Sequence, residues 1–518
     1  MRSFSTGTPH NRILLLIAAI FVIVGITEIR ALFFPYQLSY AEGYMIEQGW
    51  RWATDQGTYG DLTQLPWIAD NFPPVYLAVM GIVYQLSGAD FLLGRLLTLL
   101  AASSMGYLLY QWYRDCKTPP WIAFSLLALW LASPILIRRL ILIRMDYAAI
   151  LFSGAGLFWF LRNERSSMKA VLGSSLCFVL AVFTKQSAVA APGALFLALI
   201  FSGRRREAAA LALLSSSLII AGVLIMQWST EDRFLEHIVS FNNHRWFWGK
   251  GVLFYLIAVA VNLPLFFLAI TSVAKTLSAW PGESLAQRSL CLWFLLSAFT
   301  ALVAAKGGSV FNQFLELLWV SAMLAPHGLE TGAQRIAARW RTGRQPGDPV
   351  PLFLSCVLTI QLGFGIAQAA EIHYRISSDT QYQLVERLRR SAGPVLSENA
   401  AVLLQAGQRP LIEPRMIVEL TMQGVWDEAP LLDSLQGKVF AQLVLSRDRL
   451  RYTRRFSPNV LRAIRSYYER TEVFGPWEIW TPKKESQNSR VTSSTTSSGE
   501  SSEHVRPRML PRLHPTGY

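Results

Sequence analysis

Between Ile13 and Ala370 the sequence repeats one pattern, apolar runs of roughly 15 to 23 residues separated by short polar breaks. A helix needs about 20 mostly apolar residues to cross the hydrocarbon core of a bilayer. Inside lipid only a helix or a closed barrel satisfies every backbone polar group. The runs therefore predict spans at 13–34, 91–113, 119–137, 147–161, 170–184, 187–202, 208–228, 252–274, 289–305, 310–326 and 351–370, eleven in all. Composition agrees, because 52% of the 518 residues are hydrophobic and only 16% are charged. That excess of apolar surface excludes an ordinary soluble protein of this length. The polar, basic stretch Met1–Arg12 precedes the first run, and no small-residue cleavage site follows it, so the run reads as a retained span.

Charge sets the expected orientation. A formal net charge of +14 suits either a nucleic-acid binder or a membrane protein oriented by its basic loops. With a cytoplasmic N-terminus, the inner loops 114–117, 162–169, 203–207, 275–288 and 327–348 hold Arg114, Lys117, Arg162, Arg165, Lys169, Arg204, Arg205, Arg206, Lys275, Arg288, Arg335, Arg339, Arg341 and Arg344. The first outer loop instead holds Glu42, Glu47, Asp55, Asp61 and Asp70. This is the positive-inside pattern, and it removes nucleic acid as a partner. Pro73–Leu86 is apolar but short and opens on Pro73-Pro74; counting it as a span would invert all five basic loops, so it is read as a juxtamembrane or re-entrant helix.

Past the last run the composition changes. The chain divides into a membrane domain at 1–374, a domain of ordinary charge density at 375–484 and a polar tail at 485–518 expected to be disordered. Short β-like runs at 394–397, 410–412, 440–445 and 477–480, with helical patterns such as 460–470 between them, predict a small α/β domain. An odd number of spans places it outside the membrane. Cys116, Cys177, Cys291 and Cys356 sit in or beside apolar runs with no metal-ligand spacing, which argues against a disulfide framework and a zinc site. No internal repeat marks the halves of a transporter.

Ionisable and polar residues at the lips of spans collect on the outer side: Glu42, Asn71, Arg138, Arg139, Arg144, Asp146, Lys185, Gln186, His237, His244, Arg245, Lys306, Asn312 and Glu316. Arg138, Arg139 and Arg144 run against the positive-inside bias, and a guanidinium fork fits a phosphate. Contact with lipid head groups and a structural pair with Asp146 is the plainer alternative. His237 and His244 lack a convincing third ligand.

Several ordered landmarks resemble those of GT-C membrane glycosyltransferases, in particular the bacterial group related to protein O-mannosyltransferases and the lipid A aminoarabinose transferase. They are Tyr40-Ala41-Glu42-Gly43, Asn71-Phe72-Pro73-Pro74-Val75-Tyr76, Gly94-Arg95-Leu96, Arg144-Met145-Asp146, Phe183-Thr184-Lys185-Gln186 and Lys306–Glu316. The resemblance covers about residues 13–330 and implies a mainly α, polytopic GT-C bundle in a bacterial inner membrane. It implies transfer of a sugar from a polyprenyl-phosphate donor to a lipid, glycan or protein acceptor on the outer face. Glu42 is then the expected general base, with Asp146 as the second acidic residue of the site. Many relatives carry an Asp-Glu pair at the first position, whereas this chain has Ala41-Glu42, which weakens the case for a divalent metal such as magnesium or manganese. Arg144, Lys185, Arg138, Arg139 and Lys306 are the expected ligands of the donor phosphate. Asn71, Gln186, Asn312 and Glu316 are expected to bind substrate. A transporter or flippase for lipid-linked glycans is the alternative, and it would need charges along a path to both faces.

Overall fold

The apolar runs form helices, and proline sets where several begin. Pro74, Pro120, Pro134, Pro264, Pro414 and Pro458 each occupy the first or second helical position, where the missing N–H has no intrahelical partner to lose. The computed structural model describes residues 9–54, 56–340, 349–376, 380–447 and 455–484. The polar tail from residue 485 lies outside them, as do Asp55, Arg341, Arg344 and the side chains of Arg335 and Arg339.

Against the eleven expected spans, six helices among the described residues are long and apolar enough to cross a membrane. They are Asn11–Leu32, Leu92–Asp115, Ser167–Thr184, Arg205–Ser229, Leu285–Ala305 and the run starting at Val350. The expected span 252–274 is not one straight helix: Trp248–Val261 and Leu263–Ser278 meet at Asn262 with a bend of 93°, because Pro264 cannot continue the helical hydrogen bonds. Counted as one span, the pair raises the number to seven. Pro120–Leu131 and Ala190–Phe201 are shorter apolar helices, and so is Pro74–Ser87. The 14 residues of Pro74–Ser87 reach only ~21 Å at about 1.5 Å per residue, less than the ~30 Å core.

Helices approach closely where glycine removes a side chain, the usual device once lipid supplies no hydrophobic drive. A Cβ on Gly154 would lie 2.1 Å from the Trp319 ring, one on Gly173 2.0 Å from the Trp159 indole nitrogen, and one on Gly328 1.9 Å from the Leu268 carbonyl. These contacts join Asp146–Arg162 to Leu315–Trp340 and to Ser167–Thr184, and Leu263–Ser278 to Leu315–Trp340. By contrast, Arg205–Ser229 leaves Leu213, Leu224, Ile225 and Trp228 exposed, as suits a face turned to lipid.

The expected basic loops gather at one end of the bundle. Arg162 pairs with Asp115 at 3.4 Å, Arg204 with Glu164 at 2.9 Å, and Arg288 donates to the Ser202 hydroxyl at 2.9 Å. At the opposite end sits a four-stranded sheet of β1 (Val395–Ser397), β2 (Gln442–Ser446), β3 (Tyr468–Phe474) and β4 (Trp477–Pro482) in the order β1-β2-β4-β3. β1 and β2 run parallel, and the other two pairings are antiparallel. The β-like run 410–412 does not join this sheet; Ile412 forms a parallel bridge to Trp67 in the loop before Pro74–Ser87. The helical pattern at 460–470 ends early, as Pro458–Tyr467 gives way to β3.

Met1–Pro482 packs as one compact unit. Trp67 N–H donates to the Leu411 carbonyl at 2.8 Å, and Glu413 N–H donates to the Trp67 carbonyl at 2.9 Å. The Tyr44 hydroxyl donates to the Ile412 carbonyl at 3.1 Å. Arg409 pairs with buried Glu47 at 3.2 Å while its guanidinium lies 3.6 Å from the Trp50 ring centre. The α/β region is thereby stitched to the helix Tyr40–Ala53.

Candidate active site

Asp146 organises the polar centre at that end. It opens the helix Asp146–Arg162, where the helix dipole favours a negative charge, and it is 1% exposed. One carboxylate oxygen accepts from Lys185 Nζ at 2.7 Å and from Asn312 Nδ2 at 2.9 Å, and the other accepts from Arg144 Nε at 2.8 Å. Burial alone would raise the Asp146 pKa, but the Lys185 ammonium and Arg144 guanidinium outweigh it and hold the carboxyl well below its ordinary range. Arg139, nearly buried, lies within electrostatic reach of Arg144 and Asp146; burial pushes its guanidinium down to about 10, so it stays charged at neutral pH. Three cations therefore face one carboxylate, a balance that favours an anion. Lys185, Asn312, Gln313 and Glu316 line a small cavity beside the cluster. Glu316 accepts from the Trp293 indole N–H at 2.7 Å.

Asn71 and Gln186 belong to an adjoining network. Gln186 donates to the Asn71 carbonyl at 3.2 Å, and Asn242 donates to the same oxygen at 2.7 Å. Lys306 is part of this second group and not of the Asp146 cluster: its Nζ donates to the Asn242 carbonyl at 3.3 Å and lies over the Trp246 ring. Arg138 is placed elsewhere again. It is exposed and pairs with Glu371 at 2.7 Å, apart from the Asp146 cluster.

Glu42 belongs to another group again. It is fully buried and pairs with fully buried Arg95 at 3.1 Å. Its Oε2 accepts from the backbone N–H of Leu38 at 2.6 Å and Ser39 at 3.0 Å, and its Oε1 accepts from Ile143 N–H at 3.2 Å. Arg95 in turn donates to the carbonyls of Ala31 at 2.9 Å, Tyr36 at 2.6 Å and Phe34. This pair closes the end of the first helix and opens the helix Tyr40–Ala53. A general base needs a free lone pair facing the acceptor's proton; in this arrangement both oxygens of Glu42 are engaged by fixed donors.

Sequence reasoning gave no role to Arg95, Gln313, Arg51 or Asp70, and considered His237 only as a metal ligand; Arg51, Asp70 and His237 form a buried set. Asp70 pairs with Arg51 at 3.3 Å and accepts from Tyr59 N–H at 2.7 Å. His237 Nδ1 accepts from Asp70 N–H at 3.0 Å, and Nε2 meets the Gly60 carbonyl at 2.9 Å. That arrangement requires a neutral ring with its proton on Nε2, in line with burial lowering the His237 pKa. The signal in sequence was present only as charged residues within a loop whose path was unknown. Among the described residues, no three His, Cys, Asp or Glu side chains converge to hold a metal. Asp146 and Glu42 are both occupied by cations of the chain, so they do not fit a divalent ion.

The class is one of fold: the chain has the GT-C fold. No family model matches the sequence, and no curated protein is similar to it in sequence. Solved structures carry the likeness. ArnT from Cupriavidus metallidurans in the apo state aligns over 90% of this chain and 97% of its own, with a TM-score of 0.62 and 13% identity. The same protein bound to undecaprenyl phosphate gives a TM-score of 0.61. An oligosaccharyltransferase of Archaeoglobus fulgidus, in complex with Zn and sulfate, aligns over 90% of this chain and 72% of its own with a TM-score of 0.51 and 12% identity.

Proposed function

We propose that the protein is an integral-membrane glycosyltransferase that moves a sugar from a polyprenyl-phosphate donor to a lipid, glycan or protein acceptor on the outer face of the membrane. The Asp146 cluster, cation-rich and placed at the end of the bundle opposite the basic loops, carries this reading. The fold is shared with a structure that binds undecaprenyl phosphate. In the reaction the bond from the sugar's anomeric carbon to the donor phosphate breaks, and a bond from that carbon to the acceptor oxygen forms on the opposite face, inverting the centre. The departing polyprenyl phosphate gains a negative charge, which fixed cations stabilise without reorganisation. Lys185 and Arg144 supply them, Arg139 adds its charge, and Asp146 with Asn312 keeps Lys185 in place.

Binding of undecaprenyl phosphate to the purified full-length protein tests the site. Lys185→Ala and Arg144→Ala are each expected to weaken binding about tenfold or more, since a charge-assisted hydrogen bond contributes roughly 1.5–3 kcal/mol. Arg138→Ala is expected to leave binding unchanged. Wild-type affinity in both cluster variants rules out the phosphate site. Mass spectrometry of lipid-linked sugars and envelope glycans from a deletion strain identifies the sugar and the acceptor.

A further inference from the structure

Glu42 is engaged and Ala41 carries no polar group, so neither supplies a receiver for the acceptor's proton. Asp146, Asp70, Glu47 and Glu316 are each in use, by Lys185 and Arg144, by Arg51, by Arg409 and by Trp293 respectively. Glu413 is different. Its backbone is pinned to Trp67, at the start of the helix Pro414–Met422, yet its carboxylate makes no hydrogen bond or ion pair with any described residue. It is half-buried at the seam between the α/β region and the bundle.

The surroundings of Glu413 are charged from every side. Arg415 and Arg455 flank it, Asp70 stands behind it, and the Tyr40 and Tyr44 hydroxyls share its environment. Tyr40 holds this arrangement: the Arg455 guanidinium lies 3.7 Å from its ring centre, and its hydroxyl accepts from Arg415 N–H at 3.3 Å. Nη1 of Arg455 is buried with no partner among the described residues. These surroundings are joined to the Asp146 cluster by the chain itself. Asn71, one residue past Asp70, receives Gln186, the neighbour of Lys185, and reaches the Met416 sulfur at 3.9 Å, three residues beyond Glu413.

We propose that Glu413, supplied by the α/β region, takes the proton from the acceptor hydroxyl, and that Arg415 and Arg455 line the same acceptor subsite. The inference rests on the glycosyltransferase reading. In the step, the acceptor O–H bond breaks as its oxygen bonds to the anomeric carbon, the proton passes to the Glu413 carboxylate, and the electron pair of the broken sugar–oxygen bond leaves on the polyprenyl phosphate. Two single negative charges, on Glu413 and the donor diester, become two on the departing phosphate, and the balance holds. Burial and the Asp70 carboxylate raise the Glu413 pKa to about 8 against the pull of Arg415 and Arg455, which places the base near working pH. Only the ionised form accepts a proton, so the rate rises with pH and levels off above that value.

The test uses the full-length protein in detergent, a panel of radiolabelled undecaprenyl-phosphate hexoses and pentoses, and envelope extract of the deletion strain as acceptor. Glu413→Gln is expected to cut transfer at least 100-fold with undecaprenyl phosphate binding within twofold of wild type, and Glu413→Asp to restore part of the rate. The rising limb of the pH profile is expected to vanish in the residual activity of Glu413→Gln. Transfer by Glu413→Gln within threefold of wild type, or an unchanged pH profile, overturns the proposal while leaving the glycosyltransferase reading intact. Absence of transfer by the wild type from every donor overturns that reading, and this proposal with it.

Discussion

Two carboxylates with similar sequence settings, each at a helix start on the same side, have opposite surroundings. Glu42 meets one guanidinium and three backbone donors, all fixed by helix ends, so its charge is spent on holding backbone together. Asp146 meets two cations and an amide, of which Lys185 and Asn312 line a cavity, so its charge positions groups that can also meet a ligand. Removing one partner of a buried pair leaves the other charge uncompensated, at a cost of roughly 3–5 kcal/mol. Glu42→Gln is therefore expected to lower the thermal unfolding midpoint in detergent markedly. A variant as stable as wild type that had nonetheless lost transfer would return Glu42 to the role of base. The sequence showed Glu42 and Arg95 as landmarks but not as a pair, because 53 residues separate them and only packing brings them together.

At the scale of elements, glycine and proline decide how the helices sit. The helix pair joined at Asn262 turns by 93° and is held there because Leu263–Ser278 lies flush against Leu315–Trp340 at Gly328. A methyl group at Gly328 would lie 1.9 Å from the Leu268 carbonyl oxygen, and backbone cannot swing away as a side chain can. Gly328→Ala is expected to destabilise the protein by about 1–3 kcal/mol, the usual cost of overpacking, seen as a lower unfolding midpoint. Gly249→Ala, with open space around it, is expected to show no such loss. Hydropathy located the apolar stretches here correctly, including the short Pro74–Ser87, but read the bent pair as one run. A hydropathy window averages over a break of a single residue, and Asn262 is too brief an interruption to register.

For the whole molecule, charge and connectivity place the two ends on opposite sides. The basic loops meet at one end, and the polar cluster with the α/β region occupies the other. With the N-terminus in the cytoplasm, exposed Asp61 and Asn459 face outward and exposed Arg165 faces inward. Single cysteines at Asp61 and Asn459, in a background without the four native cysteines, are expected to react with an impermeant thiol reagent on intact cells. One at Arg165 is expected to react only after permeabilisation. The reverse labelling pattern inverts the orientation and removes the outer-face site.

Sequence by itself determined the class of fold, because the bilayer imposes a length and polarity on each span that can be read one segment at a time. It likewise determined which loops are basic and that Arg144, Asp146, Lys185 and Asn312 stand at span ends on one side. Those are local properties, set by composition and order. Only the tertiary structure decided which charges are free and which are paired. It separated Arg138 and Lys306 from the Asp146 cluster, engaged Glu42 with Arg95, and brought Glu413 beside a loop more than 340 residues earlier through the bridge of Trp67 to Ile412. The physical reason is that a charge acts through its neighbours within a few ångströms, and in this chain those neighbours come from distant parts of the sequence.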